Sequence, residues 1–200
     1  MSTAVKQPYA KGLRRTEEIL STTRQMLIDE GAEALTMRRI AAKLDMSLSN
    51  LQHYFSTKED LINALVDAQY ESYVEGLNER VRNDQTPEEQ LCAFAQYISD
   101  DYQTDEGSIL IWELWAFTGR NAYVADAVNK AHESERRIVR KIISQISPDA
   151  SKSQLEAKAT VITSMFEGVG LFVAPGRPQA KSRKAVTEQL KTAAIAIARA

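Results

Sequence analysis

The sequence predicts an all-α fold. Apolar residues recur at helical spacing along nearly the whole chain, no segment sustains period-two alternation between turn signals, and 200 residues hold only 8 Gly and 5 Pro. About nine helices are expected, arranged as a small N-terminal three-helix unit, residues 1–57, and a larger helical bundle, residues 58–200.

The first helix is expected from about Leu13 to Glu30, with Ile19, Thr23 and Met26 or Leu27 inside and Gly31 as its stop. Two short helices follow at about 37–44 and 48–54. A long fourth helix starts near Lys58, carries Leu61, Leu65, Tyr73, Leu77 and Val81, and ends before Asn83-Asp-Gln-Thr-Pro87. Further helices are expected at 88–102, 106–118, 121–146, 152–173 and 183–199. Their breaks are Gln103-Thr-Asp-Glu-Gly107, Gly119-Arg-Asn121, Ser147-Pro-Asp149 and Ala174-Pro-Gly-Arg-Pro178.

Composition removes several classes of function. Cys92 is the only cysteine, which rules out an intrachain disulfide and a multi-thiolate zinc site, and suits a reduced, buried small residue. No run approaches the roughly 18 apolar residues of a membrane span, and no signal-like apolar segment opens the sequence, so a cytoplasmic protein is expected. The net charge of −2 argues against non-specific coating of nucleic acid. Its distribution is uneven: Lys6, Lys11, Arg14 and Arg15 come without an acidic neighbour, whereas residues 61–200 carry 16 basic and 19 acidic side chains. Nucleic-acid contact therefore belongs at the N-terminal end. The alternative for this basic arm is a solvated tail.

Two helix starts lie close together at 36–55. Thr36 reads as an N-cap, with Leu35 and Ile40 as a hydrophobic staple across it; Ser47, with Met46 and Leu51, repeats the pattern. Only a tight turn at Asp45-Met46 separates the helices, so they must cross steeply, as in a helix-turn-helix. Ala41 is small where the helices approach, Asp45 occupies the turn position that wants positive φ, and Leu51 and Phe55 anchor the second helix. By subtraction Leu48, Ser49, Gln52 and His53 face outward, flanked by Asn50 and Tyr54. No Lys, Arg, Asp or Glu occurs between Asp45 and Lys58. A partnerless surface helix is normally charged for solubility, whereas groups that donate and accept hydrogen bonds suit base edges in a major groove. The segment from Ser56 is expected to start the next helix, with Ser56 and Glu59 as a capping box.

The run Thr36-Met-Arg-Arg-Ile-Ala-Ala-Lys-Leu-Asp-Met-Ser-Leu-Ser-Asn-Leu-Gln-His-Tyr-Phe-Ser-Thr-Lys-Glu-Asp-Leu61 resembles the DNA-binding signature of TetR-family transcriptional repressors. The likeness covers about residues 13–65; the remainder resembles the family in length and helix count. It implies a phosphate contact for Thr36, a base or phosphate contact for Arg38, and grips on the DNA backbone for Ser47, Tyr54 and Lys58. It also implies that Leu48, Ser49, Asn50, Gln52 and His53 meet base edges. The chain departs from the pattern at Ser49 and Asp45, where the family often has Gly, and at Gln52, where it often has Tyr. An amide at 52 can read adenine. The resemblance further implies a homodimer on a palindromic double-stranded operator.

In the larger part, 152–173 and 183–199 carry wide apolar stripes. Ile162, Val169 and Phe172 on the first, with Val186, Leu190, Ala194 and Ile197 on the second, are candidate dimer contacts that would form a four-helix bundle with their copies. Trp112, Trp115 and Phe117 cluster on one helix. With Phe94, Tyr97, Tyr102, Met165 and Phe166 they are candidates for an effector cavity, and an apolar or aromatic effector is expected because the stripes carry no charge cluster. The long helix from Lys58 would couple that cavity to the reading heads. Neither a metal nor a cofactor is expected. The competing readings are a helical interaction protein and a small-molecule enzyme without DNA binding. The latter lacks a catalytic set: His53 lies in the reading segment, His132 in the charged stretch His132-Glu-Ser-Glu-Arg136, expected to be solvated, and Cys92 among apolar residues.

Overall fold

The structure, a computed structural model, describes residues 7–200, without the side chains of residues 7–11 and Asp105. Among the described residues it is all-α. The helices are α1 Gln7–Glu30, α2 Met37–Lys43, α3 Leu48–Tyr54, α4 Lys58–Arg80, α5 Pro87–Asp101, α6 Asp105–Thr118, α7 Ala122–Ile146, α8 Lys152–Gly168, α9 Gly170–Val173 and α10 Arg183–Arg199, with 3-10 turns at Ala32–Ala34 and Ala180–Ser182. Since α9 continues α8 past a single non-helical residue, Val169, the count agrees with the nine expected.

Short-range chemistry sets most of these boundaries. Thr36, Ser47, Thr86, Thr104 and Ser151 each accept a backbone N–H three residues on, and Asn121 accepts two. Pro87 opens α5, at a position where the N–H it lacks has no intrahelical partner. Two expectations shift. The first helix already includes Gln7, ahead of the start expected near Leu13. The capping box that starts α4 is formed by Thr57 and Asp60, not Ser56 and Glu59: Thr57 is the residue with extended backbone, so Asp60 is the one that reaches back to its N–H.

Two hydrophobic cores share the long helices. The first joins Ile19, Met26 and Leu27 of α1 to Ile40, Ala41, Leu51 and Phe55, then to Leu61, Ile62, Leu65 and Val66 of α4, and finally to Leu110, Leu114 and Val124. The second contains Leu77 from the far end of α4, Leu91, Phe94 and Ile98 of α5, Val139, Ile142 and Ile143 of α7, Ile162 and Phe166 of α8, and Ala194 and Ala198 of α10. Helix α4 thus runs from one core into the other.

The α8 and α10 stripes are largely consumed by this second core. Ile162 and Ala194 are fully buried and Val169 nearly so, while Val186, Leu190 and Ile197 pack partly buried against them. Of the residues expected at a dimer interface only Phe172 stands out into solvent, at 62% exposure. The correction follows from width: a helix on a bundle surface needs a broad apolar face for its own monomer before any is left for a partner. The apolar surface left over is a neighbouring strip, Val161, Leu171 and Phe172.

Candidate nucleic-acid interface and ligand cavity

The reading unit is built by its caps and its turn. Thr36 Oγ1 accepts from the Arg39 N–H at 3.3 Å, and Ser47 Oγ from the Asn50 N–H at 3.2 Å. Each hydroxyl accepts through a lone pair; that of Thr36 keeps its own proton to donate, while Ser47 Oγ also shares a hydrogen bond with Ser49 Oγ at 3.1 Å. Between the helices, Asp45 adopts φ 49°, a positive value found at no other described residue that is not glycine, and the Met46 N–H closes the turn onto the Ala41 carbonyl at 3.0 Å. Arg15 reaches from α1 to the Leu44 carbonyl at 3.2 Å. This residue of the basic arm therefore braces the turn; Lys6 and the side chain of Lys11 lie outside the described residues.

Leu51 is fully buried beneath this turn and Phe55 nearly so. Ser49, Asn50, Gln52 and His53 are exposed, whereas Leu48 and Tyr54 are half-buried, Tyr54 with its ring edge-on to His53. Arg38 is exposed on α2, while its neighbour Arg39 turns back to Glu30 and the Ala34 carbonyl. Lys58 lies apart from this face: its Nζ donates to the Ala32 carbonyl at 3.2 Å. The Ala32 N–H donates to Glu113 Oε2 of α6 at 3.3 Å. Residues distant in sequence thus hold the link between α1 and α2 from both sides.

A cavity of about 110 Å³ lies among α4, α5, α6, α7 and α8. Its walls include Val66, Tyr70 and Tyr73 of α4, Tyr102 just after α5, Leu114 and Trp115 of α6, and His132 of α7. Three carboxyl-bearing residues, Asp101, Glu135 and Glu167, also line it. Glu135 is 3% exposed; Tyr73 donates to its Oε1 at 2.6 Å. Burial raises the pKa of Glu135, opposed by the Tyr73 hydrogen bond and Arg136. Glu167 is pushed well up by burial and then by Glu135 and Asp101, and burial raises Asp101 too. Burial also holds Tyr73 and Tyr102 well above the ordinary phenol range and lowers His132.

The structure gathers few of the expected effector residues. Trp115 lines the cavity, and so does Tyr102. Phe94 and Phe166 are fully buried and pack edge-to-face, ring centroids 5.5 Å apart, inside the second core. Tyr97 stands behind the cavity wall, its hydroxyl donating to the Tyr73 carbonyl at 2.9 Å. Trp112 lies under the Arg177 guanidinium at 4.7 Å, Phe117 packs against the first core, and half-buried Met165 is not among the lining residues. Aromatic content alone had not distinguished a wall from a core. His132 is half-buried against Trp115 rather than solvated. Cys92 is half-buried on α5, its thiol pKa raised by burial. The carboxyls were missed, although Glu135 falls in register with Val124, Val128, Ala131, Val139 and Ile142, a helical face on which a lone acid is conspicuous.

Comparison with known proteins agrees with this architecture. Residues 19–65 match the family model described as bacterial regulatory proteins, tetR family. An uncharacterized HTH-type transcriptional regulator in the dhlA 5' region of Xanthobacter autotrophicus is 25% identical over 157 residues, 77% of each chain. Two solved structures show the same fold. A TetR transcription regulator from Haloarcula marismortui superposes with a TM-score of 0.74 at 20% identity, over 93% of this chain and 97% of that one. A protein described as a transcriptional regulator from Saccharomonospora viridis, in complex with choline, gives 0.78 at 14% identity, over 90% and 95%. The helix-turn-helix geometry and the matched segment agree: residues 19–65 carry the DNA-binding signature of bacterial regulatory proteins of the tetR family, and the chain as a whole shares the fold of solved TetR-type regulators.

Proposed function

We propose that the chain is a homodimeric repressor that holds a palindromic operator through α2 and α3 and releases it when a small molecule enters the cavity between α4 and α8. The reading rests on the face that Leu51 and Phe55 orient: Ser49, Asn50, Gln52 and His53 exposed, polar and without fixed charge. Such a face reads base edges, while Thr36, Ser47, Tyr54 and Arg38 are placed to take phosphates and Leu48 to meet a thymine methyl. Lys58 would join them by leaving the Ala32 carbonyl. Residues 1–57 are then the reading unit and 58–200 the effector and dimerisation unit, with α4 as the element common to both. The role is binding rather than catalysis, and it places the protein with the chromosome, in the cytoplasm.

Dimerisation is supported by Val161, Leu171 and Phe172, exposed at 48%, 49% and 62%. On α10, which packs against α8, the small residues Ala185 and Ala196 are exposed as well. Apolar side chains beside small residues let a second copy pack closely.

The link from cavity to DNA runs through shared residues. Val66 and Leu114 line the cavity and belong to the first core. On the same helix as Leu114, Glu113 grips Ala32, which Lys58 holds from the other side. A ligand that shifts α6 would therefore pull on the connection between α1 and α2. A solved neighbour in complex with choline supports the view that this fold can enclose a small molecule.

Selection of bound duplexes from a random pool, with the mass of the complex measured by light scattering, tests the reading. A palindromic consensus bound by two copies is expected, with Phe172→Asp yielding monomers that bind about 100-fold more weakly. Recovery of no consensus would remove the repressor reading. For the coupling, Glu113→Ala should leave a folded protein whose operator release by ligand is blunted by about tenfold.

A further inference from the structure

The cavity carries an electrostatic imbalance that the repressor reading leaves unused. Its lining residues include Asp101, Glu135 and Glu167 and contain no Lys or Arg. The nearest cations are committed elsewhere: Arg136 pairs with Glu133 at 2.5 Å, and Arg24 sits 3.8 Å from Glu106. Their fields reach Glu135 and Asp101 only as opposing influences weaker than burial. Tyr73 satisfies one oxygen of Glu135. The other, Oε2, is buried and has no hydrogen-bond partner among the described residues. A buried carboxylate with one free oxygen is costly unless something positive or a proton meets it.

The remaining walls decide what that positive group is. Tyr70, Tyr73, Tyr102 and Trp115 contribute aromatic rings, and Val66, Ile111 and Leu114 contribute aliphatic surface. Aromatic faces attract a diffuse cation and offer nothing to replace the water shell of a hard metal ion. The volume, about 110 Å³, is somewhat below the roughly 150 Å³ of a cavity that takes up benzene. It suits a compact head group. An anion would meet three acids, and a neutral hydrocarbon would leave Glu135 Oε2 unpaired.

We infer that the cavity binds a small organic cation, an alkylammonium with methyl groups against Tyr70, Tyr102 and Trp115, and that Glu135 is its counter-ion with Glu167 and Asp101 behind it. This deepens the effector reading and rests on it for the release of DNA, but not for the binding itself. Without the ligand, protons take the cation's place on the acids; binding should therefore release protons and tighten as pH rises. The groups that set this dependence are Asp101, Glu135, Glu167, His132, Tyr73 and Arg136.

The test uses the full chain and two probes of the same skeleton. Propyltrimethylammonium carries the charge, and 3,3-dimethylbutan-1-ol has carbon in place of the charged nitrogen and a hydroxyl in place of the terminal methyl. Calorimetry should show the cation binding at least about tenfold more tightly than the alcohol, with a heat that varies with buffer ionisation enthalpy, the mark of proton release. Glu135→Gln should bring the two probes to within about twofold by weakening the cation alone, and Glu167→Gln should narrow the gap less. The alcohol's unchanged affinity shows that each variant retains a folded cavity. Equal affinities in the wild type, a preference that survives both substitutions, or no saturable cation binding up to about 10 mM would overturn the inference. Preferential cation binding that leaves operator affinity untouched would uphold it and remove the effector-release reading instead.

Discussion

The Tyr73 hydroxyl donates to Oε1 of Glu135 at 2.6 Å, bringing together α4 and α7 across 62 residues of chain. Burial nevertheless pushes the Glu135 pKa from 4.5 up to about 7, so one hydrogen bond does not offset the loss of solvent. The sign for stability follows. Between the ordinary glutamate value and the raised one, the folded state binds more protons than the unfolded state, so stability falls as pH climbs from 4.5 to about 7. Glu135→Gln removes this titration and can still accept from Tyr73. Its stability relative to wild type should improve by about 1–3 kcal/mol between those two pH values. Thermal melts at each pH check it; a difference independent of pH would show that Glu135 keeps its ordinary pKa.

Asp45 holds φ 49° in the turn between α2 and α3. Aspartate tolerates this left-handed region better than most residues and glycine does so without penalty. Asp45→Gly should therefore raise stability by up to about 1 kcal/mol and Asp45→Ala should lower it by about as much. Chemical denaturation of both variants measures the two signs. A shift in the same direction for both would mean that the side chain's charge, not the backbone, sets the effect.

What the sequence revealed follows the range of the interaction. Thr36, Ser47 and Asp45 were legible because a cap and a turn are decided within four residues. The Thr57 box was misplaced by one residue, since Ser56 and Thr57 are both good caps and only the backbone chooses between them. Ile162 and Ala194 were misassigned because periodicity tells which face of a helix is apolar and not which helix covers it. Glu135 was hidden by its charged neighbours, Glu133, Arg136 and Arg137, although Val124, Val139 and Ile142 on the same face are buried.

Arg38 and Gln52 should fail differently on DNA. Arg38 is exposed on α2, where a guanidinium neutralises phosphate charge. Arg38→Ala should weaken binding to all duplexes and reduce the slope of log affinity against log salt by about one. Gln52→Ala should leave that slope unchanged and cost about 1–3 kcal/mol only where an adenine stands in the selected site. Titrations at several salt concentrations against the consensus and a single-base variant separate the two. An altered salt slope for Gln52→Ala would move its amide from a base to the backbone.

Gly170 marks the tightest approach beneath the cavity. A Cβ built there would lie 2.2 Å from the Tyr102 Cε1 and 2.3 Å from its Cδ1, distances at which the ring or the helix must move. Tyr102 has nowhere to go: it is 2% exposed, its hydroxyl points to the Glu167 carbonyl at 3.4 Å, and it forms part of the cavity wall. The break between α8 and α9 thus lets a bulky ring fill the space that a side chain would occupy. Gly170→Ala should cost about 1–3 kcal/mol through overpacking, despite alanine's better helix propensity. It should also weaken ligand binding, because the displaced ring belongs to the wall. Adding Tyr102→Leu should recover most of the stability and little of the binding, since leucine makes room but restores no aromatic face. Melts and probe titrations on the single and double variants measure both; a Gly170→Ala protein as stable as wild type would show that Tyr102 is not held against the break.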